Sequence, residues 1–354
     1  MKKIALVVGV TGITGSSLAQ NLIQKGWKTY GLSRNPKVDT EGLIPVAADL
    51  LNKENLKKAL SDIKPTHVYF STWMRKHTEA ENIAVNSAMV KNLLDSLAPH
   101  NSVEHVALVT GLKHYLGPFD EYTKGDSPQT PLREEQPRLD IPNFYYAQED
   151  EVFTAAKREG FTWSIHRPHT VIGKAVGNQM NMGTTLAVYA SICKELDRDF
   201  AWPGSKAQWE GISDMTDSKV LADHLVWAST TEAARNEALN ITNGDVFRWK
   251  WMWEKIADYF QVKATGYQGE INPLEKQMNE DGEVWKAMTE KYGLAESDLS
   301  KLASAWHTDL DLSRPFEILT DMSKSRKLGF TTYKSTLDSF FALFEELRSD
   351  RLIP

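Results

Sequence analysis

Cysteine is almost absent from this sequence, which has one, Cys193, in 354 residues. A single cysteine excludes an intramolecular disulfide and fits a reducing compartment. It lies in an apolar helical pattern, where a buried structural thiol is expected rather than a nucleophile. The sequence also lacks an uncharged run near the ~20 residues of a membrane span, and it opens on a strand pattern without a signal peptide. We therefore expect a cytoplasmic protein that makes no contact with membranes.

Basic blocks and metal-binding clusters are missing as well. The formal net charge is -6, and no lysine- and arginine-rich run is present, so nucleic acid is not expected as a partner. No His, Cys and Asp residues have metal-ligand spacing, so we expect no metal. Aromatic residues, in contrast, are frequent, with 11 Trp, 11 Tyr and 13 Phe. We expect many of them in the core and some against an apolar ligand.

The most informative segment is residues 4–21. A short apolar run ends at Gly9, Gly12 and Gly15 follow at three-residue spacing, and a helical pattern begins at once. Gly9 permits a tight turn, Gly12 lets the backbone approach a pyrophosphate, and Gly15 lets helix and strand pack closely. The amides at the start of the helix then face the phosphates. Between a strand and a helix, these glycines predict a dinucleotide site rather than an ordinary glycine-rich turn.

Strand and helix patterns alternate through the first half of the chain, which predicts right-handed βαβ units and an α/β, doubly wound parallel sheet. The predicted strands are 4–8, 29–33, 43–48, 67–71, 105–110 and 163–166. The predicted helices are 16–25, 51–63, 80–97 and 146–158, the second of them capped by Asn52. Ligands of such sheets bind at the carboxyl ends of the strands.

Helical patterns dominate after residue 173. They cover 184–194, 217–229, 250–260, 274–292 and 336–348, and 238–242 reads as one more strand. We therefore predict a dinucleotide-binding Rossmann domain over 1–172 and a mainly helical substrate-binding part over 173–354, with 214–245 returning to the first domain. The long polar connection 117–138 is a candidate wall of the site.

The end of the second strand bears on the choice of cofactor. An NAD-binding fold usually has an acidic residue there, bonded to the ribose 2′-hydroxyl. This chain has Ser33-Arg34-Asn35 instead. A guanidinium suits a 2′-phosphate in geometry and charge, so we expect NADPH, although Arg34 also fits a solvated surface position. Asp49, at the end of the third strand, is placed to accept from the adenine amino group.

A tyrosine is the natural acid for a nicotinamide enzyme of this architecture. In the usual short-chain dehydrogenase arrangement a lysine follows it by four residues, and the ammonium lowers the pKa of the phenol. Here Tyr145 is followed at that spacing by Glu149 and Tyr146 by Asp150. Either the chain is catalytically altered or the cation comes from elsewhere, and Lys113, after the fifth strand, can reach the same space.

Several motifs identify the chain as similar to a known family. They include Gly9-Val-Thr-Gly-Ile-Thr-Gly15, Thr66-His-Val-Tyr-Phe-Ser-Thr-Trp73, Thr110-Gly-Leu-Lys-His-Tyr-Leu-Gly-Pro-Phe119 and Asn143-Phe-Tyr-Tyr146 with Glu149-Asp150. With these motifs the whole chain resembles the progesterone 5β-reductase and iridoid synthase group of extended short-chain dehydrogenases. That group reduces activated carbon–carbon double bonds with NADPH, and we expect a bacterial member of it.

The resemblance implies a catalytic pair, Tyr145 and Lys113, that stabilises an enolate oxygen after hydride addition to an enone or enal. The expected cofactor contacts lie along the carboxyl ends of the strands: Gly9, Thr11, Gly12, Ile13, Gly15, Ser33, Arg34, Asn35, Asp49, Leu50, Thr72, Trp73, Val109, Tyr145, Pro168, Val171, Asn178 and Met180. The expected wall for a small apolar substrate is aromatic: Trp73, Tyr115, Phe119 and Trp202.

Other interpretations stay open. Plant members often have two consecutive arginines where this chain has Arg34 alone, and a more aromatic stretch after Pro168. An epimerase or dehydratase acting on a nucleotide sugar shares the fold, and fold alone does not give function. A non-catalytic NADPH-sensing protein is a third reading, although such proteins typically lose the tyrosine. We expect His114, His166 and His169 to be polar packing residues, and a homodimer through helices 80–97 and 146–158.

Overall fold

A computed structural model describes residues 3–36, 40–121, 128–178 and 180–354. The strands in these ranges are β1 (Ile4–Val8), β2 (Lys28–Ser33), β3 (Leu43–Ala47), β4 (His67–Phe70), β5 (His105–Val109), β6 (Thr162–Pro168), β7 (Val171–Ile172), β8 (Phe200–Ala201), β9 (Ile212–Ser213), β10 (Thr216–Asp217), β11 (Glu237–Ile241), β12 (Phe247–Arg248) and β13 (Ala264–Thr265).

The α-helices in the same ranges are α1 (Ile13–Gln24), α2 (Lys53–Leu60), α3 (Glu79–Leu97), α4 (Lys113–Leu116), α5 (Phe144–Glu159), α6 (Met182–Glu195), α7 (Lys206–Glu210), α8 (Ser218–Thr230), α9 (Trp249–Phe260), α10 (Leu274–Gln277), α11 (Asp281–Tyr292), α12 (Leu299–Leu302), α13 (Ala305–Leu312), α14 (Ser323–Lys327) and α15 (Thr336–Ser349).

Seven strands form one sheet in the order β11-β6-β5-β4-β1-β2-β3, and every neighbouring pair is parallel. The chain runs outward from β1 to β3, returns to β4 and then runs outward on the other side. The strand order therefore reverses between β1 and β4, where such sheets bind ligands beyond the carboxyl ends of their strands. This sheet confirms the predicted Rossmann-type fold.

Helices cover both faces of the sheet. On one face, α1 and α8 pack against each other, and on the other face α3 packs against both α2 and α5. The two helices of the predicted homodimer contact therefore share one side of the molecule, while dimerisation stays a prediction. The helices after residue 182 enclose a separate apolar core with several fully buried tryptophans, and the predicted boundary at residue 172 also stays a prediction.

The predicted elements of the first half are present and differ only at their ends, whereas α4 and β7 were not predicted. Asn52 caps α2 as expected, because its side chain accepts from the Asn55 amide at 3.0 Å. Segment 238–242 joins the sheet beside β6 as β11. The predicted helix 274–292 is wrong, since it is interrupted at residues 278–280 to give α10 and α11. Periodicity cannot detect this break, because Leu274, Met278 and Trp285 are buried in the same core on either side of it.

No helix in the described ranges combines the length and the apolar character needed to cross a bilayer.

The glycine turn after β1 generates a stability prediction. A Cβ at Gly15 would lie 2.2 Å from the carbonyl oxygen of Gly9, so helix and turn must separate to admit alanine. Overpacking of this kind costs about 1–3 kcal/mol, and we expect Gly15→Ala to lower the free energy of unfolding by about that amount in urea titrations followed by circular dichroism.

The control for this measurement is Gly282→Ala in α11. A Cβ at Gly282 meets no atom within 4 Å, and alanine is favoured over glycine in a helix by about 0.5–1 kcal/mol. We expect this variant to be as stable as the parent or more so. A Gly15→Ala protein that unfolds at the same urea concentration as the parent contradicts the close packing of α1 on the turn.

Candidate active site

A cleft of about 600 Å³ lies at the carboxyl edge of the sheet. Its walls come from the segments that follow β1, β4, β5 and β6, together with residues 176–178, residues 180–182 and α13. Segments that follow parallel strands meet at one edge of the sheet, so residues far apart in the sequence line one space. The N-terminus of α1 and the predicted catalytic residues, Tyr145 and Lys113, all line this cleft.

Most of the predicted site residues line the cleft. They are Gly9, Thr11, Gly12, Ile13, Arg34, Thr72, Trp73, Val109, Lys113, Tyr145, Pro168, Val171, Asn178 and Met180. That these residues bind a cofactor or a substrate stays a prediction.

The turn between β1 and α1 has the shape that a dinucleotide phosphate needs. Gly9 has φ of +85°, a backbone conformation that glycine adopts without strain. Gly12 is the N-cap of α1 and has no side chain to accept from the helix amides. The first-turn amides therefore point toward the cleft as donors for an anion. A Cβ at Gly12 would meet only ordinary contacts, so its small size matters for an approaching ligand rather than for the fold.

A buried hydroxyl marks the end of β2. The Ser33 Oγ atom is buried and has no hydrogen-bond partner among the described residues, and the next residue, Arg34, is exposed at the mouth of the cleft. A buried hydroxyl without a partner is costly, and a ligand oxygen at this position would satisfy it. The hydroxyl and the guanidinium thus fit a phosphate-bearing ribose.

Five of the predicted cofactor residues, Gly15, Ser33, Asn35, Asp49 and Leu50, do not line the cleft. The Asp49 carboxylate accepts from the Leu51 amide at 2.9 Å, which closes a turn. Leu50 is buried in the core below the sheet. Asn35 is exposed next to Arg34 and lies outside the cleft lining.

Asn143 joins the two segments that carry the predicted catalytic pair. As the N-cap of α5 its side-chain oxygen accepts from the Tyr145 amide at 3.0 Å, and its Nδ2 donates to the Lys113 carbonyl at 2.7 Å. The amide is buried, so neither bond competes with water. The sequence analysis quotes Asn143 within a motif but assigns it no role, and a side-chain amide just before a helix was the available signal.

The Tyr145 side chain lies beside Gly111, where a Cβ would be 3.4 Å from the tyrosine hydroxyl oxygen. Gly111 has φ of +153°, so the loop after β5 passes close to the phenol without a side chain between them. Tyr145 is buried except for the part that lines the cleft. The next residue, Tyr146, is structural, since its hydroxyl donates to the His114 carbonyl at 2.6 Å.

The Lys113 amine is almost fully buried and stands 2.9 Å from the centroid of the Phe119 ring. Burial lowers the pKa of Lys113 well below its ordinary value of 10.5, and the Asp311 carboxylate acts in the opposite direction. Desolvation disfavours an ammonium ion. The pKa of this amine is therefore sensitive to any negative charge that enters the cleft.

A buried carboxylate stands where the usual arrangement has lysine. Glu149 accepts from Arg138 Nη2 at 2.8 Å, and Arg167 Nη2 lies 3.6 Å from its other oxygen. Glu149 does not line the cleft. The cation within the described site is therefore supplied by α4 rather than by α5.

Two of the predicted aromatic wall residues lie in the core instead. The Tyr115 hydroxyl donates to Asn240 Oδ1 at 2.7 Å and accepts from Arg167 Nη1 at 3.2 Å. Trp202 is 2% exposed and donates from Nε1 to the Ser205 carbonyl at 3.2 Å. Both rings pack because their polar atoms find partners in the interior. Phe119 stands just behind the lining, with its ring 6.5 Å from that of Trp73.

The histidines differ in their positions. His166 is fully buried away from the cleft and shares hydrogen bonds with Ser164 and His224, each at 2.8 Å. Burial lowers the pKa of His114 to about 3. His169 does line the cleft, with its Nδ1 2.7 Å from Asp214 Oδ1.

The sequence analysis missed the far wall of the cleft, which comes from α13 and the turn after it. His307, Thr308, Asp311 and Arg314 line the cleft there. They lie far along the chain from the other site segments, the last of which ends at Met182, and the sequence did not predict their helix. Only their charge in an otherwise apolar pattern was a signal. No group of three His, Cys, Asp or Glu side chains in the described ranges is arranged to hold a metal ion.

The family model of the PRISE-like Rossmann-fold domain matches residues 37–354. Among curated proteins, (S)-8-oxocitronellyl enol synthase of Nepeta cataria is 36% identical over 365 residues, covering 100% of this chain and 94% of that protein. The 3-oxo-Delta(4,5)-steroid 5-beta-reductase of Arabidopsis thaliana is 35% identical over 367 residues, with the same coverage.

Solved structures similar to this chain include epimerases. The UDP-glucose 4-epimerase of Thermus thermophilus in complex with NAD has a TM-score of 0.69 at 13% identity, covering 98% of this chain and 99% of that one. An epimerase of Methanothermobacter thermautotrophicus has a TM-score of 0.72 at 16% identity, covering 99% and 93%. At this identity the likeness shows the fold alone.

The position of Tyr115 gives a prediction that separates a core residue from a substrate contact. Tyr115→Phe leaves the Asn240 oxygen and an Arg167 donor without their partner, and a buried group left unsatisfied costs about 1–3 kcal/mol. We expect the free energy of unfolding to fall by that amount in denaturant titrations, while KM for any accepted substrate stays unchanged. A raised KM with unchanged stability would place the ring against the substrate.

Proposed function

The chain belongs to the family of PRISE-like Rossmann-fold domains, and from that premise we propose that it reduces the carbon–carbon double bond of enones or enals with NADPH. The observation that carries this proposal is the meeting of Tyr145 and Lys113 in one cleft, next to a glycine turn and helix N-terminus that suit a dinucleotide. The names of the relatives support the same chemistry, since one of them is a steroid 5-beta-reductase.

NADPH fits the described residues. The pyrophosphate would be held by the α1 amides after Gly12, and the 2′-phosphate by Arg34, which lines the cleft, and by the unpartnered Ser33 hydroxyl just before it. Val171 and Pro168 form an apolar wall at the other end, which suits a flat ring. When bound, this cofactor supplies a hydride to the β-carbon of the substrate.

The role of Tyr145 follows from where charge develops. Reduction of an enone at the β-carbon leaves negative charge on the carbonyl oxygen, as an enolate. A fixed donor aimed at that oxygen stabilises the transition state by about 3 kcal/mol. Tyr145 holds its proton at the hydroxyl and donates toward the oxygen, while the α-carbon takes a proton from solvent.

Lys113 supports this donor through its charge. The buried amine has a pKa well below the ordinary value, and an enolate oxygen nearby favours the ammonium form, because an opposite charge raises the pKa of an amine. Asn143 keeps the amine and the phenol on adjoining backbone segments. The positive charge is thereby strongest when the oxygen carries its negative charge, as a catalytic group requires.

The proposal predicts reduction of enones that depends on Tyr145. NADPH oxidation, followed by absorbance, is measured with a cyclic enone, progesterone, an α,β-unsaturated dialdehyde and a nucleotide sugar. We expect turnover with at least one enone or enal, with a saturated double bond in the product, and a loss of about 10²–10³-fold in kcat for Tyr145→Phe. Tyr146→Phe, at the neighbouring structural phenol, is the matched control.

Three outcomes would contradict this assignment. Turnover of the nucleotide sugar alone would favour an epimerase or dehydratase. Tight NADPH binding with no turnover of any substrate would favour a sensing protein. A Tyr145→Phe or Lys113→Met variant that reduces enones at the parental rate would remove the assigned roles while keeping the reaction.

If NADPH is the cofactor, Arg34→Ala should weaken the binding of NADPH and leave the binding of NADH unchanged. Removing the guanidinium takes away a charge-assisted bond to the 2′-phosphate, which is worth about 1.5–3 kcal/mol. We expect the Kd for NADPH to rise at least tenfold and that for NADH to stay constant, as measured by fluorescence titration. Lys28→Ala, at the half-buried start of β2 and outside the cleft lining, is the control. An equal Kd for NADPH in Arg34→Ala and parent would overturn the role of Arg34.

A further inference from the structure

The substrate end of the cleft is charged rather than apolar. Beyond the predicted catalytic pair, the lining contains Arg75 from the segment after β4, and His307, Asp311 and Arg314 from α13 and the turn after it. We name these four residues the charged wall. The sequence predicts an aromatic wall for an apolar substrate at this place. Two of the four aromatic residues of that predicted wall lie in the core instead.

Arg314 is a fixed part of the charged wall. It is 4% exposed, its Nη2 donates to Asp311 Oδ1, and its Nη1 lies 3.3 Å from His169 Nε2. Arginine has only donors, so His169 accepts at Nε2 and donates from Nδ1 to Asp214. Thr170 Oγ1 also donates to Asp311 at 2.9 Å. The Asp311 carboxylate is thus committed to two partners within the protein.

Arg75 is held differently. Its guanidinium stacks 3.9 Å from the centroid of the Trp306 ring and 5.8 Å from that of Phe119. Its side chain is exposed, and no carboxylate of the described residues forms an ion pair with it. Stacking on aromatic faces holds a guanidinium in place while leaving its edge donors directed outward.

Positive charge is in excess at this end of the cleft. Arg75 and Arg314 are cationic side chains of the lining, and Asp311 is the one carboxylate that the described lining contains. Lys113 and Arg75 contact the same Phe119 ring, so the reacting end and the charged wall adjoin. His307 lies among these groups, and burial, with Arg75 as the next cause, lowers its pKa to about 4.

We propose that the substrate of this enzyme carries a carboxylate a few bonds from its enone, and that Arg75 binds that carboxylate against the charged wall. This inference rests on the proposed enone reduction and adds to it the class of substrate, an unsaturated oxo acid. A planar guanidinium matches a carboxylate with two parallel hydrogen bonds. The bound carboxylate also offsets the excess positive charge around His307, which a hydrocarbon substrate would leave uncompensated.

The test compares three enones that differ at one end. They are 6-oxohept-4-enoate, its methyl ester, and hept-3-en-2-one, which have the same reducible group. With NADPH and the full-length protein, we expect kcat/KM for the acid to exceed that for the ester at least tenfold. The preference should fall as ionic strength rises from ~0.05 to ~0.5 M, since the Arg75 pair is partly exposed.

Variants identify the residue. In Arg75→Gln the acid and the ester should be reduced with similar kcat/KM, while kcat/KM for hept-3-en-2-one stays within about twofold of the parent. Lys76→Gln is the matched control, because Lys76 is the next residue, is exposed and does not line the cleft. It should keep the full preference for the acid. Both residues are exposed. Arg75→Gln also removes the stacking on Trp306 and Phe119, and the rate with hept-3-en-2-one shows whether that loss disturbs the cleft.

The outcomes separate this inference from the proposed function. Reduction of the ester and of hept-3-en-2-one as fast as the acid, or an acid preference that survives Arg75→Gln, overturns the carboxylate site and leaves enone reduction standing. Oxidation of NADPH with none of the three compounds overturns the proposed function, and the inference with it.

Discussion

One buried side-chain amide determines the geometry of the site. Asn143 accepts from the Tyr145 amide and donates to the Lys113 carbonyl, so the start of α5 and the turn after β5 cannot move independently. When a tyrosine and a lysine lie on the same helix, the helix itself fixes their spacing. Here the two residues are on different elements, and the two hydrogen bonds of the Asn143 side chain fix the spacing of their backbones instead. Both of these bonds go to the backbone of the two residues and not to the predicted catalytic side chains.

The buried charges around Glu149 explain why the lysine is on another element. Arg138 and Arg167 both face the Glu149 carboxylate, and Arg167 also donates to the Tyr115 hydroxyl. A lysine at position 149 would bring a third cation to two guanidinium groups in a dry environment, where unpaired charge is costly. A lysine four residues after Tyr145, as in the usual arrangement, is therefore incompatible with the buried charges around position 149. The departure from the usual motif is a property of the whole network.

The parts of the molecule that could be predicted from sequence are those that local physics determines. The β1–α1 turn depends on three glycines and a strand, all within a few residues, and the structure has the predicted shape there. An aromatic residue carries no such local signal. Tyr115 and Trp202 have their polar atoms satisfied in the interior, and an identical sequence around them would suit a ligand wall. Only the packing of distant elements decides between the two.

The two ends of the cleft also differ in how far the local sequence determines their shape. The proposed dinucleotide end is built largely from backbone amides and small residues after β1, whose shape is a consequence of the fold. The proposed substrate end is built from side chains of Arg75, Asp311 and Arg314, and side chains can change without changing the fold. A shared fold with epimerases at 13–16% sequence identity is therefore compatible with a different reaction. Because three of the four residues of the charged wall come from α13 and the turn after it, far along the chain from Tyr145, this part of the cleft can change while the predicted reacting groups stay the same.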